Sequence, residues 1–480
     1  MKSLKINSVF NVIYKLLLLL FPLITTSYIS HVLEADGVGS ISYAQNIASY
    51  FVMFASLGIP VYGVREISKV REDKNKTNKV FTEIFLINIL SSLSFTIAYY
   101  LMVLFNPVFQ KNIDLLVIFG IQILFNCFNV DWFYQGVENY IYITSRSLFI
   151  KIISLILILL FVRSRNDLIL YSVILCLGTL GNYIFNVIHL KKYVQFSVTD
   201  ISLRRHFKPL IYLMGSIVLV NIYSKTDITM LGIMKSDEQV GLYSVSFKVI
   251  DLLLQCTIAT TAVFLPRLSY YFKFNPDEFN NLIEKGIYVL LLIVVPGFIY
   301  LQIFADDFIP IVFGKSFSDA IPTVRILSIL LIIKSFGDLI CYQVSICTEN
   351  EKARLIPLSI AAVTNILLNI LLIPGLNANG AALASVAGEL IGNLLLYRIT
   401  KKYIDVTFDR NNIYSVLISG GIILVITIMA KTVSDGIISD IIILLFVSGL
   451  YIILCLAFKN KIVISVVNYL KKGLNKVHDT

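Results

Sequence analysis

Charge is scarce in this chain. Asp, Glu, Lys and Arg make up 15% of 480 residues, while hydrophobic residues make up 57%. Soluble domains carry about 25% charged residues. A water-soluble protein of this length could not hide so much apolar surface. Residues for cysteine or metal chemistry are also few. The six cysteines, Cys127, Cys176, Cys256, Cys341, Cys347 and Cys455, all fall within or beside apolar runs, and no C-x-x-C occurs. They read as packing residues of membrane helices. The four histidines (His31, His189, His206, His478) are scattered and suggest no metal site. Low-complexity segments and long linkers are absent. The net charge of +10 raises nucleic acid as a partner, but the basic residues are spread over short loops, which excludes it.

What the sequence has instead is long apolar runs, such as LLLLLFPLITTSYI, FLINILSSLSFTIAYYLMVLF and IISLILILLFV. They are continuous rather than alternating, so the expected class is an all-α membrane protein and not a β-barrel. The first run is expected to span rather than to be a removable signal. It is long, contains Pro22, and ends in TTSYISHVLEADGVG without a small-x-small cleavage pattern. About 14 spans are predicted, at 8–30, 38–62, 81–105, 113–136, 148–163, 167–190, 209–234, 240–265, 282–304, 321–347, 355–374, 378–399, 413–430 and 440–458. With a cytoplasmic start, cytoplasmic segments hold 28 Lys and Arg and external ones six. That asymmetry places both termini in the cytoplasm. External loops are short, the longest at about 305–321, so any function must lie within the membrane or at its cytoplasmic rim. The tail IVISVVNYLKKGLNKV, with Lys471, Lys472 and Lys476 on one side, is amphipathic and reads as lying along the inner surface or as a frayed end.

Internal similarity divides the chain. DGVGSISYAQNI (36–47) matches EQVGLYSVSFKVI (238–250), with Val-Gly pairs 202 residues apart. Each pair opens an inward-running helix that ends at a Pro with an Arg behind it, Pro60 and Arg65 or Pro266 and Arg267. GVENYIYITSR (136–146) matches CTENEKARLIP (347–357), with VEN and TEN 211 residues apart. NGAALASVAGE (379–389) is a weaker third echo. The expected organisation is a six-helix bundle over 1–190 and a second over 209–400, related by a pseudo-two-fold axis along the membrane normal. Two additional helices and the tail occupy 401–480. In the stretch DWFYQGVEN (131–139), Trp132 and Tyr134 are expected at headgroup depth and Gly136 in a tight turn.

Charges within spans are functional hypotheses by default. The deep ones are Lys15, Lys225, Asp227, Lys248, Asp251, Lys334, Asp338 and Glu389, with Glu83, Asp131 and Lys151 nearer the cytoplasmic ends. Lys248 with Asp251 and Lys334 with Asp338 are spaced to neutralise themselves on one helix face. Lys15 could snorkel to the inner surface. Lys225 and Asp227 are two apart and face different directions, and Glu389 has no cation near it in sequence.

The residues W-F-Y-Q-G-V-E-N after span four, Pro60, Gly63 and Arg65 as P-x-x-G-x-R, and P-G-L-N-A-N-G-A-A-L-A (374–384) resemble Wzx-type flippases. These form the polysaccharide transporter branch of the multidrug/oligosaccharidyl-lipid/polysaccharide exporter superfamily. The resemblance covers the whole chain. It implies a non-enzymatic transporter in the bacterial cytoplasmic membrane. Such a protein moves an undecaprenyl-diphosphate-linked oligosaccharide repeat unit between leaflets by rocking two bundles around a cavity. On that basis Lys15, Lys225 and Lys248 would meet the diphosphate and sugars, because Coulomb attraction is strong where water is sparse. Arg65 and Lys151 would act at the inner gate. Asn46, which takes the place of Lys248 in the first repeat, would hydrogen-bond sugars with Gln45, Tyr43, Asn221 and Tyr223. Asp227, Asp251 or Glu389 would couple the cycle to H+ or Na+; no other cofactor is implied. Membrane lipids, a polysaccharide polymerase and a chain-length regulator are the partners implied. The competing readings are a multidrug or cation antiporter, a lipid II flippase, a membrane-embedded glycan polymerase or ligase, and a scramblase.

Overall fold

The structure is a computed structural model. It describes residues 2–197, 201–406, 408–433, 436–465 and 467–468, with side chains described from residue 21 onward except at 216–217, 219–224, 351 and 437. The side chains of Lys15, Asn221 and Tyr223 are therefore not among those described, and the tail lysines Lys471, Lys472 and Lys476 fall outside the described residues altogether.

The chain divides into two compact units, Met1–Ser244 and Val245–Thr480. The first contains α1 (Lys2–Ser56), α2 (Ile59–Val70), α3 (Lys74–Phe105), α4 (Ile113–Phe125), α5 (Asp131–Gly136), α6 (Tyr140–Phe161), α7 (Leu168–Leu190), α8 (Arg204–Met234) and the start of α9 (Asp237–Ala262). The second holds the rest of α9 and α10 (Leu265–Phe274), α11 (Pro276–Phe313), α12 (Ile321–Leu327), α13 (Ile329–Gly337), α14 (Val344–Cys347), α15 (Leu355–Thr400), α16 (Arg410–Val433) and α17 (Ile437–Ala457). No strand occurs among the described residues.

Among the described residues, ten stretches are long and apolar enough to cross a membrane. Two of them contain a break. Glu34 in α1 has φ 55° and Asn377 in α15 has φ 52°, the left-handed region, which no helix tolerates. In α15 the chain doubles back at that break, so that Gly388 lies against the Ala361 carbonyl (Cβ position 3.0 Å away) and Gly392 against the Pro357 carbonyl (3.6 Å). Counting each arm, and adding α8 and the α12–α14 run, the described residues supply fourteen passes. Their outer faces are apolar: Leu90, Leu93, Ile97, Leu101 and Leu104 form an exposed stripe along α3. Such a stripe suits lipid and not water.

Local sequence explains the boundaries. Asp73 caps α3 by accepting from the Asn75 and Lys76 amides, and Asn275 caps α11 by accepting from Glu278. Pro60 and Pro266 were expected to end spans two and eight. Instead they lie in the first turns of new helices, α2 and α10, where a missing N–H costs nothing. The break before α2 is made by Leu57 (φ 48°) and Gly58 (φ 78°).

The repeat is visible in the hydrogen bonding of the turns. After α5, the Glu138 amide donates to the Gln135 carbonyl (3.0 Å) and Asn139 to Tyr134 (2.8 Å). After α14, Glu349 donates to Ile346 (3.0 Å) and Asn350 to Ser345 (2.9 Å). Both are Schellman endings with a glutamate in the left-handed position, at φ 58° and φ 56°. Each glutamate then pairs with a cation at the end of the short helix packed beside it. Arg71 lies 2.5 Å from Glu138 and Lys273 2.8 Å from Glu349. Arg71 and Lys273 are 202 residues apart, the spacing of the Val-Gly pairs. A third such turn closes α17, where Lys459 (φ 56°) donates to Leu456 and Asn460 to Cys455.

The aromatic residues of DWFYQGVEN lie in the interior. Trp132 and Tyr134 do not anchor at a lipid surface. Trp132 is 2% exposed and stacks on Phe81 (centroids 5.3 Å apart), within a core that includes Ile59, Tyr62, Ile67 and Phe133. A Cβ at Gly63 would fall on the Trp132 ring, so the glycine of P-x-x-G-x-R is there to admit the indole. Tyr134 is buried and its hydroxyl donates to the Asn186 carbonyl at 2.8 Å. Gly136 does not make the turn, which falls on Glu138. It allows close approach to Ile67, whose Cβ would be 2.8 Å from an added methyl. Periodicity located these aromatics near a helix end. It could not show that α2 folds over them.

Candidate substrate-binding site

Polar side chains converge in the first unit where the second arm of α1 meets α8. Asn46 is 7% exposed, and its Nδ2 donates to the Lys225 carbonyl (3.0 Å) and to Thr229 Oγ1 (2.8 Å). Tyr50 Oη lies 3.1 Å from the same Thr229 hydroxyl. Lys225 Nζ donates to Ser49 Oγ at 2.5 Å. Asn46, Ser49 and Tyr50 are spaced i, i+3, i+4, and Lys225 and Thr229 i, i+4, so each set forms one helix face. The result is a ladder of hydrogen bonds between two apolar helices, with the ammonium half-buried among neutral oxygens. Ammonium in such a setting is strongly attractive to an anionic group, since less water screens it. Asp227, two residues on, points elsewhere as its spacing requires. It is 3% exposed and accepts from Tyr243 Oη at 2.5 Å.

Glycine lets the helices come this close. Gly232 lies under the ring of the buried Tyr43, and a Cβ there would overlap the ring. Gly39 and Gly241, the glycines of the two Val-Gly pairs, face each other. A Cβ at Gly39 would fall on the Asp237 carbonyl and 2.8 Å from the Gly241 nitrogen. Beside them Asp237 is held by Lys111 (2.7 Å) and by Asn112 Nδ2 (3.1 Å).

The remaining residues singled out by sequence lie apart from this ladder or in the second unit. Arg65 is exposed on α2, 3.1 Å from Glu66, with its guanidinium over the Tyr62 ring at 5.3 Å. Lys151 sits over the Phe21 ring at 5.2 Å, a cation–π contact within α6 and α1. Lys248 is exposed on α9, and Asp251 accepts a long bond from Gln255 (3.4 Å) one turn later. Gln45 is exposed beside Asn46.

Two readings of charge are corrected. Lys334 and Asp338 have the spacing to neutralise each other on one helix face, and Glu389 has no cation near it in sequence. Instead Lys334 Nζ lies 3.3 Å from Glu389 Oε2 on α15. Asp338 turns to Thr261 and Gln343 because the helix there widens into a π-turn. Arg146, which lies between the predicted spans 113–136 and 148–163, is buried in α6. It donates to Asp131 at 2.9 and 3.2 Å, to Asn182 at 3.1 Å, and to Asn186. Glu83, read from the sequence only as a charge near a cytoplasmic helix end, is a buried acid bound by Arg205, by His206 (2.9 Å) and by the Ser202 amide (2.8 Å); His206 in turn bonds the Tyr62 hydroxyl at 2.7 Å. A helical wheel of polar positions would have found Ser49, Tyr50 and Thr229. Nothing local would have found the partners of Glu83, 119–123 residues away.

A fourteen-pass helical membrane protein with hydrogen-bonded polar and charged groups between its helices has the build of a transporter. Comparison with known proteins agrees. The family described as "Polysaccharide biosynthesis protein" matches residues 4–272, more than half of the chain, and the chain belongs to that family. A putative O-antigen transporter of Escherichia coli K12 is 24% identical over 388 residues, covering 78% of this chain and 92% of that protein. A probable low-salt glycan biosynthesis flippase, Agl15 of Haloferax volcanii, is 24% identical over 192 residues, 40% of each chain. Among solved structures, the lipid II flippase MurJ in an inward closed conformation superposes with a TM-score of 0.72 at 14% identity, over 96% of this chain and 99% of that one. An inward-facing MATE family multidrug transporter of the MOP superfamily superposes at 0.65 and 13% identity, over 80% and 93%. At these identities the superpositions establish a shared fold, the one implied by the motifs.

Proposed function

We propose that this protein is a flippase. It carries an undecaprenyl-diphosphate-linked oligosaccharide repeat unit across the bacterial cytoplasmic membrane by alternating access, for surface polysaccharide assembly. The observation that carries the reading is Lys225. An ammonium within a spanning helix costs a few kcal/mol on insertion scales, and a chain keeps it there for a reason. Among the described residues its ammonium donates to the neutral Ser49 hydroxyl and pairs with no carboxylate, so its charge can meet a diphosphate. Asn46, Ser49, Tyr50 and Thr229 offer the hydroxyl and amide groups that sugars bond. The family match and the named O-antigen and glycan relatives support the glycan part of the substrate. They also weigh against the multidrug antiporter, whose fold is shared but whose family is not the one matched.

Within this reading both termini are cytoplasmic, as the lysine and arginine asymmetry requires. Lys15 and Lys248 act with Lys225 on the head group, and Arg65 and Lys151 act as it enters. Asp227, Asp251 and Glu389 take part in coupling to H+ or Na+. A polymerase and a chain-length regulator receive the product. The test is deletion of the gene in its host followed by leaflet-resolved detection of the lipid-linked repeat unit. Accumulation on the inner leaflet with loss of surface polysaccharide is expected. Normal translocation with altered chain length or drug sensitivity would overturn the reading.

A further inference from the structure

Between α13 and α14, Asp338–Gln343 forms a turn of π-helix. Such turns are rare and concentrate at functional sites. This one brings Gln343 beside Asp338, so that Gln343 Nε2 donates to Asp338 Oδ2 at 2.9 Å. Thr261 Oγ1, on α9, donates to the same oxygen at 2.6 Å. One turn away Ser335 Oγ donates to Thr257 Oγ1 at 2.8 Å. Thr257, Thr261 and Ser335 are buried, and Gln343 is 3% exposed.

This cluster is short of one positive charge. Among the described residues Asp338 has no ion-pair partner, because Lys334, one turn earlier, is drawn to Glu389. Gln343 Oε1 is buried, and no donor faces it. A carboxylate without a cation beside an amide oxygen without a donor is a costly combination in an apolar setting.

We propose that Asp338, Gln343 and Thr261 bind a sodium ion. The Gln343 amide has two ends that differ only in O and N assignment, and turning it over sets Oε1 beside the carboxylate. The Thr261 hydroxyl has a second acceptor in reach, the Ile258 carbonyl at 3.0 Å. Swinging its proton there exposes a lone pair to the ion. Thr257 can do the same toward the Leu254 carbonyl at 2.8 Å. One carboxylate and neutral oxygens suit a monovalent ion, since a divalent one gathers more carboxylates. The bound ion would tie α9 to the π-turn through Thr261. As a coupling site this rests on the transporter reading above; as an ion site it stands on the geometry alone.

The experiment uses the purified full-length protein in detergent at fixed pH and ionic strength, with NaCl exchanged for N-methyl-D-glucamine chloride. Sodium at about a hundredfold excess over its Kd should raise the apparent unfolding midpoint by about 5 °C, saturably. Asp338→Asn and Gln343→Leu should abolish the shift, and Asp277→Asn, an exposed acid of α11, should keep it. Should Asp338→Asn fail to fold, equilibrium binding of radioactive sodium decides. Thr261→Val, which keeps the side-chain volume, should weaken that binding at least tenfold. No sodium-dependent shift in the wild type, a shift that survives Asp338→Asn, or a response to pH alone would each overturn the proposal. None of these readouts uses the glycolipid, so failure of the ion site is distinguishable from failure of the flippase reading.

Discussion

Replacing Arg146 by Met should remove the charge from a buried network while keeping much of the side chain's apolar volume. The Arg146 side chain is 3% exposed and that of Asp131 26%. Arg146 supplies two bonds to Asp131, at 2.9 and 3.2 Å, and bonds to Asn182 and Asn186, while Asn186 Nδ2 also donates to Asp131 at 2.9 Å. Removing one member of a buried pair costs about 3–5 kcal/mol, because the other is left uncompensated. Water reaches Asp131 and lowers the figure to about 2–4 kcal/mol. At about 2–4 °C per kcal/mol, the apparent unfolding midpoint in detergent should fall by roughly 4–16 °C. Adding Asp131→Asn to Arg146→Met should recover at least about 1 kcal/mol of that loss, since the stranded charge disappears. The assay is a thermal unfolding cycle on the wild type, both single variants and the double variant. If the double variant lost the sum of the two single losses, Arg146 and Asp131 would not be acting as a pair and the interior assignment would be wrong.

Other outcomes follow from close approaches and turns. Gly39→Val should force the α1 arm from the start of α9, because its Cβ meets backbone that cannot give way; a lowered unfolding midpoint in detergent would register it, and an unchanged midpoint would refute it. Trp132→Ala should cost about 3–5 kcal/mol as a fully buried aromatic, and Trp132→Phe clearly less, in the same unfolding assay. A surface anchor would give small losses for both. The hydrogen bond from Lys273 and its charge hold the Glu349 carboxyl below the usual glutamate range. A lowered pKa means that this contribution is present above the ordinary value and is lost as pH falls through the lowered one. Carbon NMR of labelled glutamate carboxyls should show the early titration and its return to normal in Lys273→Met.

The spans were legible because a bilayer demands continuous apolar helices, and length and hydropathy report these directly. The repeat was legible at its turns, where VEN and TEN each hold a glutamate in the left-handed position. The reason for Trp132 was not legible. An aromatic near a helix end looks the same to periodicity whether it meets lipid or another helix, and only the fold of α2 over Phe81 decides. Charges divided the same way. Lys225 and Asp227 point apart, as a spacing of two dictates. Lys334 and Asp338 have the spacing of a pair but lie next to a π-turn, which changes the helical register, and α15 supplies a competing acid. Asn46 was found through its match to Lys248, yet its partners Lys225 and Thr229 are nearly two hundred residues away, beyond any local pattern.

The most direct test is translocation by the purified protein. Liposomes would carry a labelled undecaprenyl-diphosphate-linked oligosaccharide in one leaflet, and its appearance in the other would be followed with a membrane-impermeant glycan-modifying enzyme. Wild-type protein should move the glycolipid, and Lys225→Ala, inserted and folded to the same extent, should lose most of that movement. Equal movement by Lys225→Ala would refute the site, and no movement by the wild type beyond protein-free liposomes would contradict the flippase itself.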